Sequence, residues 1–289
     1  MGIDLSNVID SNFSNNIINT NYSSIYAISL GIGSNRNNIQ GNTITGDDVG
    51  LILSSADNNN ITSNTFTMLG TSSNGAIYIT SSTGTNLTSN SFNTTFGYPF
   101  YIAGNNVAHY DHSIDTTNTE RGSPIYYHYG NNSGIINGLT DVGSLIVANA
   151  TNMTISSNIL DKDGILLLNT TTSLIYNNTI TTNYSGIILE HSTSNQNNVT
   201  WNTVTIGGAS AYGVGLGDGA DHNTIENNII TTTGTGTEGI YIGVSNSGSD
   251  DNNITNNTIV TYGASYATGI HIVDDSNRIM NNTVKANVS

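Results

Sequence analysis

One short motif repeats along the whole sequence, and this repeat limits the possible fold more than any other feature. The motif reads polar–x–apolar–x–x–Asn–x–apolar, and successive copies lie roughly 20–30 residues apart. Because the same apolar position returns once per period, each copy must stack on its equivalent in the next coil, which predicts a solenoid. The recurring asparagines are Asn42, Asn64, Asn90, Asn158, Asn178, Asn202, Asn228, Asn257 and Asn282.

A second element, Gly–apolar–x–apolar, alternates with the first. It reads Gly50-Leu-Ile-Leu53 early in the chain and Gly239-Ile-Tyr-Ile242 later. Both elements alternate apolar and polar residues, so each is a short strand with one buried face, and helical spacing is absent. The sequence therefore predicts an all-β fold, a right-handed, single-stranded parallel β-helix of roughly 11–12 coils with an irregular insertion near the middle.

The repeated asparagine has a structural explanation. It lies where one strand turns into the next, and Asn tolerates the left-handed backbone that such a bend needs. In stacked coils each side chain can also bond its copies above and below, so we interpret the nine asparagines as a structural ladder rather than as a row of ligands. The glycine before the other strand is expected to supply a second bend.

We treat residues 1–289 as a single β-helix domain, since a repeat array can run this long as one unit. Within it the period fails between 97 and 142, where the asparagine anchors jump from Asn90 to Asn158. This segment holds both prolines and three of the six histidines. Departures from a strict repeat are where solenoids place function, and the alternative is a bulkier coil whose tyrosines pack under a loop.

Carbohydrate binding needs exposed aromatic faces together with hydroxyl and amide groups. The irregular segment supplies aromatic rings, and the Asn-, Thr- and Ser-rich surface supplies the polar groups. The candidate carbohydrate-binding residues are Tyr98, Tyr101, Tyr110, Tyr126 and Tyr127.

The charge balance excludes several partners. The formal net charge is −15 with only five basic residues, which are scattered, so a nucleic-acid partner is excluded. An anionic polysaccharide would be repelled unless a metal ion bridged it. No apolar run is long enough for a membrane span, and cysteine is absent.

The departure from the repeat also carries a family resemblance. Residues 113–127 read Ser-Ile-Asp-Thr-Thr-Asn-Thr-Glu-Arg-Gly-Ser-Pro-Ile-Tyr-Tyr, and residues 141–149 and 152–155 lead back into the repeat. Together with the coils, this run resembles archaeal, methanogen-type cell-surface proteins with NosD-like β-helix repeats, which are also described as carbohydrate-binding and sugar-hydrolysis domains. The resemblance implies an extracellular structural or recognition module of the cell envelope or surface layer, with polysaccharide or envelope components as partners. It transfers no catalytic residues.

Two other functions stay open. A polysaccharide-degrading hydrolase, lyase or epimerase would need carboxylates that converge in one groove. Asp111, Asp115 and Glu120 are the candidates for such a group. The sequence favours a protein without enzymatic activity. A metal-binding protein would use the histidines of the irregular segment, His109, His112 and His128, for a transition metal such as copper, and calcium is the other candidate ion. The resemblance to NosD-like proteins associates copper with the family, while the residues alone predict no cofactor.

Two surface properties complete the expectations. Sequons at Asn60, Asn198 and Asn253 are expected to lie in outward turns, where they could carry N-linked glycans. The open ends of a coil stack are unpaired strand edges, so copies could associate end to end as a homo-oligomer or filament.

Overall fold

The structure is a computed structural model that describes residues 2–20, 26–70, 75–95, 97–217, 219–244, 248–263 and 267–286. These residues form a right-handed parallel β-solenoid of 35 short strands with one four-residue 3₁₀ helix. This confirms the predicted all-β fold. The chain divides into two compact units, Met1–Tyr129 and Gly130–Ser289, and the boundary falls inside the segment 97–142. None of the described helices has the length and hydropathy of a membrane span.

The strands of the first unit are two to seven residues long. They are β1 (Ile3–Leu5), β2 (Asn12–Ser14), β3 (Ile17–Thr20), β4 (Ile28–Leu30), β5 (Asn38–Gln40), β6 (Thr43–Gly46), β7 (Leu51–Ser54), β8 (Asn60–Thr62), β9 (Thr65–Met68), β10 (Ile77–Thr80), β11 (Asn86–Thr88), β12 (Ser91–Thr94), β13 (Phe100–Ala103), β14 (Ser113–Ile114), β15 (Thr119–Glu120) and β16 (Ser123–Tyr129). The 3₁₀ helix, Val107–Tyr110, lies between β13 and β14.

The second unit has the same kind of strands. They are β17 (Ile135–Asn137), β18 (Ser144–Ala148), β19 (Thr154–Ser156), β20 (Ile159–Leu160), β21 (Ile165–Leu168), β22 (Leu174–Tyr176), β23 (Thr179–Thr182), β24 (Ile187–Glu190), β25 (Asn198–Thr200), β26 (Thr203–Ile206), β27 (Tyr212–Gly217), β28 (Thr224–Glu226), β29 (Ile229–Thr232), β30 (Glu238–Val244), β31 (Asn253–Thr255), β32 (Thr258–Thr261), β33 (Thr268–Ile272), β34 (Arg278–Met280) and β35 (Thr283–Ala286).

Within each unit the strands fall into three stacked sets, which we call sheets A, B and C after the part of the repeat that they carry. Sheet A carries the Gly–apolar–x–apolar strands, with order β1-β4-β7-β10-β13 in the first unit and β18-β21-β24-β27-β30-β33 in the second. Sheet B carries the strands before the asparagine, β2-β5-β8-β11-β14 and β17-β19-β22-β25-β28-β31-β34. Sheet C carries the strands after it, β3-β6-β9-β12-β15-β16 and β20-β23-β26-β29-β32-β35. The first unit thus has five strands in sheet A and the second has six.

Like residues stack on like residues, as the repeat predicts. Ile61 is in parallel register with Ile39 on one side and with Leu87 on the other, and all three are fully buried. The hydrophobic effect of such columns is the main stabilising term, because each side chain loses its whole apolar surface to its neighbours.

The asparagines between sheets B and C are hydrogen-bonded from coil to coil. Asn42 Nδ2 donates to Asn64 Oδ1 at 2.9 Å, and Asn64 Nδ2 donates to Asn90 Oδ1 at 3.0 Å. In the second unit the series runs through Asn158, Asn178, Asn202, Asn228, Asn257 and Asn282. These side chains are satisfied in the interior, so they cannot also serve an external ligand.

The repeat continues for one more coil beyond residue 97, inside the segment that the sequence predicts to be irregular. Strand β13 pairs in parallel register with β10, and β14 and β15 pair with β11 and β12. Asn118 continues the ladder, since Asn90 Nδ2 donates to Asn118 Oδ1 at 2.9 Å. The pattern hid this coil because Ile114 precedes Asn118 by four positions instead of three and Glu120 occupies the following apolar position.

A second ladder runs beside the first, at the polar residue that begins the motif. Ser11 N–H donates to Asn37 Oδ1 and Asn37 N–H donates to Asn59 Oδ1, at 3.0 and 2.8 Å. The corresponding residues of the second unit are Ser173, Asn197, Asn223, Asn252 and Asn277.

The glycines before the sheet A strands serve two purposes: Gly75, with φ of 76°, makes the predicted left-handed bend, whereas Gly213 and Gly239 allow a close approach of backbones. In Gly239 the backbone is not left-handed; instead, a Cβ there would lie 2.4 Å from the carbonyl oxygen of Gly269 in the next coil. Gly213 has the same relation to Gly239, at 2.5 Å. Glycine is needed because the stacked backbones approach too closely for a side chain.

Candidate functional site

The outer face of sheet A carries a group of aromatic and ionisable side chains that contact one another from coil to coil. Tyr78, Tyr101, Tyr241 and His271 occupy the x position of Gly–apolar–x–apolar, which points outward because the flanking apolar residues point into the core. In the first unit this face bears Tyr78 and Tyr101, which we call row 1. In the second unit it bears Tyr212, Tyr241 and His271 with Glu238, which we call row 2.

Row 1 consists of two registered tyrosines on neighbouring strands. Tyr78 of β10 lies opposite Tyr101 of β13, and their ring centroids are 5.9 Å apart at an interplanar angle of 42°. Both rings are half-buried. They stand next to Ile52 of β7, which is 8% exposed, so the row begins where the outer face changes from aliphatic to aromatic.

Row 2 places three rings on three successive coils. The ring centroids of Tyr212 and Tyr241 are 5.0 Å apart, and those of Tyr241 and His271 are 4.9 Å apart. These distances match the spacing of about 4.8 Å between hydrogen-bonded strands, because Tyr241 and His271 are direct register partners. Tyr212 reaches the row by lying over Gly215: a Cβ at Gly215 would be 3.3 Å from its ring.

A carboxylate–imidazole pair completes row 2. Glu238 Oε1 lies 2.8 Å from His271 Nδ1. Because an ionised carboxylate only accepts hydrogen bonds, Nδ1 carries the hydrogen and Nε2 keeps its lone pair in the neutral ring. The Glu238 side chain is 15% exposed and that of His271 is 43% exposed. Glu238 Oε2 is buried and has no hydrogen-bond partner among the residues that the structure describes.

The tyrosines of row 2 are held in the neutral form. Burial raises the pKa of Tyr212 to about 12, and the charge of Glu238 adds to the shift. Burial also raises the pKa of Tyr241, again with a contribution from Glu238. Nearby Tyr184 follows the same rule: burial, then the charges of Glu190 and Asp163, raises its pKa above the ordinary value. Their hydroxyls therefore remain hydrogen-bond donors at neutral and moderately alkaline pH.

The five predicted carbohydrate-binding tyrosines do not form one exposed surface. Tyr98 is 3% exposed and Tyr110 is fully buried, with its hydroxyl donating to the Gly104 carbonyl at 2.8 Å. The Tyr127 ring packs edge-on against Phe100, and its hydroxyl donates to the Tyr110 carbonyl. Those three rings are thus held within the fold, Tyr110 and Tyr127 at the 3₁₀ helix.

The two other predicted tyrosines are half-buried. Tyr101 belongs to row 1, and Tyr126 lies on β16. Tyr101 is thus the member of the predicted set that the structure places beside another outward-facing ring.

The predicted carboxylate group does not converge in a groove. Asp111 and Asp115 are exposed, whereas Glu120 is fully buried. Glu120 Oε1 accepts from Thr94 N–H at 3.1 Å and from Arg121 Nε at 3.0 Å. Burial raises the pKa of Glu120. A carboxyl that water and substrate cannot reach has no role in hydrolysis.

The predicted histidine site does not fit a metal ion. His112 Nδ1 accepts from Thr85 N–H at 3.2 Å, and its Nε2 lies 2.9 Å from the His109 carbonyl, so both ring nitrogens are used. His112 is therefore a member of the second ladder, and burial lowers its pKa to about 4. Burial also lowers the pKa of His128.

Copper or another transition metal needs several converging donors. Across the described part of the chain, no three His, Cys, Asp or Glu side chains are grouped to hold a metal ion. The thioethers of Met68 and Met153 are buried, 3% and 2% exposed. The described residues therefore do not fit a copper centre.

The three predicted glycosylation sites lie in strands rather than in turns. Asn60 begins β8, Asn198 begins β25 and Asn253 begins β31. Asn60 Nδ2, the atom that would carry a glycan, donates to Asn38 Oδ1 at 2.9 Å.

Sequence reasoning missed row 2, although a signal was present. The x position of the Gly–apolar–x–apolar strands reads Tyr241 and then His271 in consecutive coils. Each residue looks isolated along the chain. Reading only the x positions down the stack would have brought the two rings together, because this position lies directly above itself from coil to coil.

Comparison with known proteins gives one family. The sequence profile of a family described as "Periplasmic copper-binding protein (NosD)" matches residues 102–289. No curated protein matches the chain significantly.

Several solved structures are similar to the chain at low identity and low TM-score. One is a double mutant of the periplasmic alginate epimerase AlgG, with a TM-score of 0.38 and 12% identity over 94% of this chain and 65% of that one. A PL6 alginate lyase in complex with a trisaccharide has a TM-score of 0.28 and 15% identity over 89% and 54%. Tailspike protein 3 of bacteriophage CBA120 has a TM-score of 0.28 and 10% identity over 94% and 49%. The chain thus spans less than two thirds of each of these structures.

Proposed function

The chain belongs to the NosD family, and from that premise we propose that it is an extracytoplasmic module that binds a neutral polysaccharide along row 2. The family is described as periplasmic, which supports a place outside the cytoplasm. The surface layer of an archaeal cell is the more specific location that the motif at 113–127 supports. Copper binding forms no part of the proposal, because the described residues do not group around a metal ion.

The observation that carries the proposal is the stack of part-exposed rings at coil spacing. Tyr212, Tyr241 and His271 repeat at 5.0 and 4.9 Å along the stack. A sugar ring has an apolar face that packs on an aromatic ring, and an extended polysaccharide presents such faces repeatedly. Coils supply a rigid support, so little conformational entropy is lost on binding.

The polar groups of row 2 suit hydroxyl recognition. The hydroxyls of Tyr212 and Tyr241 stay protonated, so they can donate hydrogen bonds to the oxygens of a sugar. The imidazole of His271, whose side chain is 43% exposed, adds a further hydrogen-bonding group.

Charge selects against acidic polymers. The net charge is −15, and the charged member of row 2 that faces the ligand is a carboxylate. A uronate chain would meet repulsion without a lysine or arginine in the row to offset it. The proposal therefore specifies a neutral glycan.

Calorimetric titration with neutral and uronate oligosaccharides tests the proposal. Tyr241→Ala should weaken binding of the neutral ligand about tenfold, since one stacked aromatic contact contributes about 0.5–1.5 kcal/mol. Tyr241→Phe keeps the ring and should bind nearly as the wild type does. The matched control is Tyr262→Ala, which removes a tyrosine that is 47% exposed and lies outside the row. Equal affinities of the Tyr241→Ala and Tyr262→Ala proteins would contradict the proposal.

A second candidate function is acid–base chemistry on a bound glycan. It is favoured by the Glu238–His271 pair at 2.8 Å, because a carboxylate that orients an imidazole leaves Nε2 as a base. Prolonged incubation with the polysaccharides that bind, followed by assays for new reducing ends and for unsaturated products, separates the two. Product that disappears in His271→Ala would establish an enzyme.

End-to-end association of copies remains a proposal. In the last described coil Ile279 and Val284 are 49% and 46% exposed, whereas their register partners Ile254 and Ile259 are fully buried. Light scattering over a range of protein concentrations measures whether another copy covers them, and a constant monomer mass would exclude it.

A further inference from the structure

One bend between sheets B and C contains an unusual residue, a tryptophan. In most of these bends the residue before the ladder asparagine has a left-handed backbone. Gly41 holds this position once, and elsewhere, with φ between 54° and 58°, it is held by the small polar residues Asn15, Ser63, Ser89, Ser157, Asn177, Asn227, Asn256 and Asn281. Before Asn202 the residue is Trp201, with φ of 57°, and it is the single tryptophan of the chain. Small polar residues suit this conformation, whereas a bulky side chain strains it.

The tryptophan is not compensated by burial. Its side chain is 65% exposed, so it gains little from the hydrophobic effect. The bend is held by the stack itself: the ladder side chain of Asn202 is 1% exposed and hydrogen-bonded, and Trp201 N–H donates to the Glu226 carbonyl at 3.3 Å. A strained and exposed aromatic residue that adds nothing to the core is a sign of recognition.

Trp201 forms one wall of a groove that crosses three coils. The groove has a volume of about 240 Å³ and is lined by Trp201, Thr203, Asn227, Ile229, Asn256 and Thr258, with the ladder residues at its floor. Ile229 adds a second apolar surface, 54% exposed. Within the described residues, the side-chain amides of Asn227 and Asn256 make no hydrogen bond to the protein, so their donors and acceptors are available to a ligand.

We propose that this groove is a binding site for a neutral saccharide, with one sugar ring stacked on Trp201 and its hydroxyls bonded by Asn227, Asn256 and the two threonines. The lining has no lysine, arginine or histidine, so it offers nothing to a phosphate, a sulfate or an anionic lipid head group. It has no carboxylate either, so it lacks the charged oxygen ligands that hold Ca²⁺ or Mg²⁺ in proteins. An aromatic face beside uncharged amides and hydroxyls matches a sugar, which is apolar on its faces and polar at its edges.

The groove is separate from row 2. It lies at the bend between sheets B and C, whereas row 2 lies on the outer face of sheet A. The two proposals share a ligand class but use different residues, so each stands or fails on its own variants.

Intrinsic fluorescence reports on this groove selectively, because Trp201 is the sole tryptophan. Titration of the purified chain with neutral oligosaccharides should give a saturable change in tryptophan emission. Tyr241→Ala should leave that titration within about twofold of wild type. If row 2 does not bind glycans, calorimetry shows no site sensitive to Tyr241→Ala while the tryptophan signal persists; if the groove does not bind, the reverse pattern appears.

Trp201→Asn is the decisive variant, because asparagine occupies the equivalent position in four other coils of the second unit and should fold at least as well. By calorimetry this variant should lose the Trp201 site, at least tenfold in affinity, with an unchanged or higher melting temperature. Trp201→Phe should retain affinity within about fivefold. The proposal is overturned by a flat emission with every neutral saccharide, by a response to anionic vesicles alone, or by a change that follows protein concentration and so reports self-association.

Discussion

The Asn64→Ala substitution tests the interior ladder most directly. Asn64 is 1% exposed and lies in the middle of the first unit's stack. Its Oδ1 accepts from the backbone N–H and the Nδ2 of Asn42, both at 2.9 Å. Its Nδ2 donates to the Ile39 carbonyl at 2.8 Å and to Asn90 Oδ1 at 3.0 Å. Alanine removes all of these bonds at once, in a place that water does not reach.

The expected cost follows from the groups left without partners. Two donors of Asn42 lose their acceptor, and each unsatisfied buried polar group costs about 1–3 kcal/mol. We expect the free energy of unfolding of the first unit to fall by about 3–5 kcal/mol. The matched control is Asn60→Ala, four positions earlier, because Asn60 is half-buried on the outer face and makes the same type of coil-to-coil amide contact. There water replaces the lost bonds, and the cost should stay below about 1 kcal/mol.

Because the chain has two compact units, the free energy of unfolding of the first unit cannot be taken from one global unfolding transition. Amide hydrogen exchange read by mass spectrometry, with peptides that cover residues 38–68, reports the local free energy of opening beside guanidinium unfolding. If Asn64→Ala loses less than about 1 kcal/mol and matches Asn60→Ala, then the ladder contributes nothing beyond the apolar columns, and the reasoning is refuted.

Two further predictions concern the same coils. Burial lowers the pKa of His112 in the folded protein to about 4, so this histidine is neutral in the fold at neutral pH. In the unfolded chain the pKa of His112 is the ordinary 6.5. As the pH falls below 6.5, the unfolded chain therefore takes up the proton before the folded protein does. Stability present at neutral pH should thus be lost between pH 6.5 and 4, by about 3 kcal/mol, and His112→Asn should remove this dependence. Urea unfolding of the wild type and of His112→Asn across that pH range measures the loss of stability. The difference between the two proteins isolates the effect of His112 from that of Glu120, whose raised pKa makes the fold more stable as the pH falls. Separately, Gly239→Ala places a Cβ 2.4 Å from the Gly269 carbonyl and should cost at least about 2 kcal/mol. The control Gly248→Ala meets its nearest atom at 3.4 Å and should change stability by less than about 0.5 kcal/mol; equal thermal shifts would disprove the close-approach argument.

The sequence could predict the stack because the stack is built from local rules that repeat. Ile39, Ile61 and Leu87 share a column since each obeys the same spacing to its own asparagine. The prediction failed at Asn118, where one extra residue before the anchor and a glutamate after it broke the written pattern without breaking the coil. Register is set by pairing with the neighbouring strand, and an insertion in a bend leaves that pairing intact.

The candidate site was harder to predict, for two reasons. The tyrosines of the irregular segment differ in burial according to the path of the chain around the 3₁₀ helix, which no periodicity encodes: Tyr110 is fully buried, while Tyr101 faces outward. The positions of the row 2 residues, in contrast, are determined by the repeat. These residues are some thirty positions apart in sequence, however, and come together only when neighbouring coils stack. A contact between Glu238 and His271 additionally depends on side-chain conformations that the pattern does not fix.

Residues that break the repeat fall into two physical classes, and exposure separates them. Glu120 breaks the rule in the interior: it stands in register with the core residue Phe92, and the next strand, β16, pairs with its own strand in antiparallel fashion. Its carboxyl satisfies Thr94 where the parallel column ends, so its role is to finish the stack of that unit. Trp201 breaks the rule at the surface, where a serine or asparagine would be less strained and equally soluble. A costly interior exception is explained by the fold, but a costly exposed exception has no structural benefit to offset it. Ligand binding is the remaining source of that benefit, which is why Trp201, rather than the more conspicuous segment at 97–142, is the residue to test first.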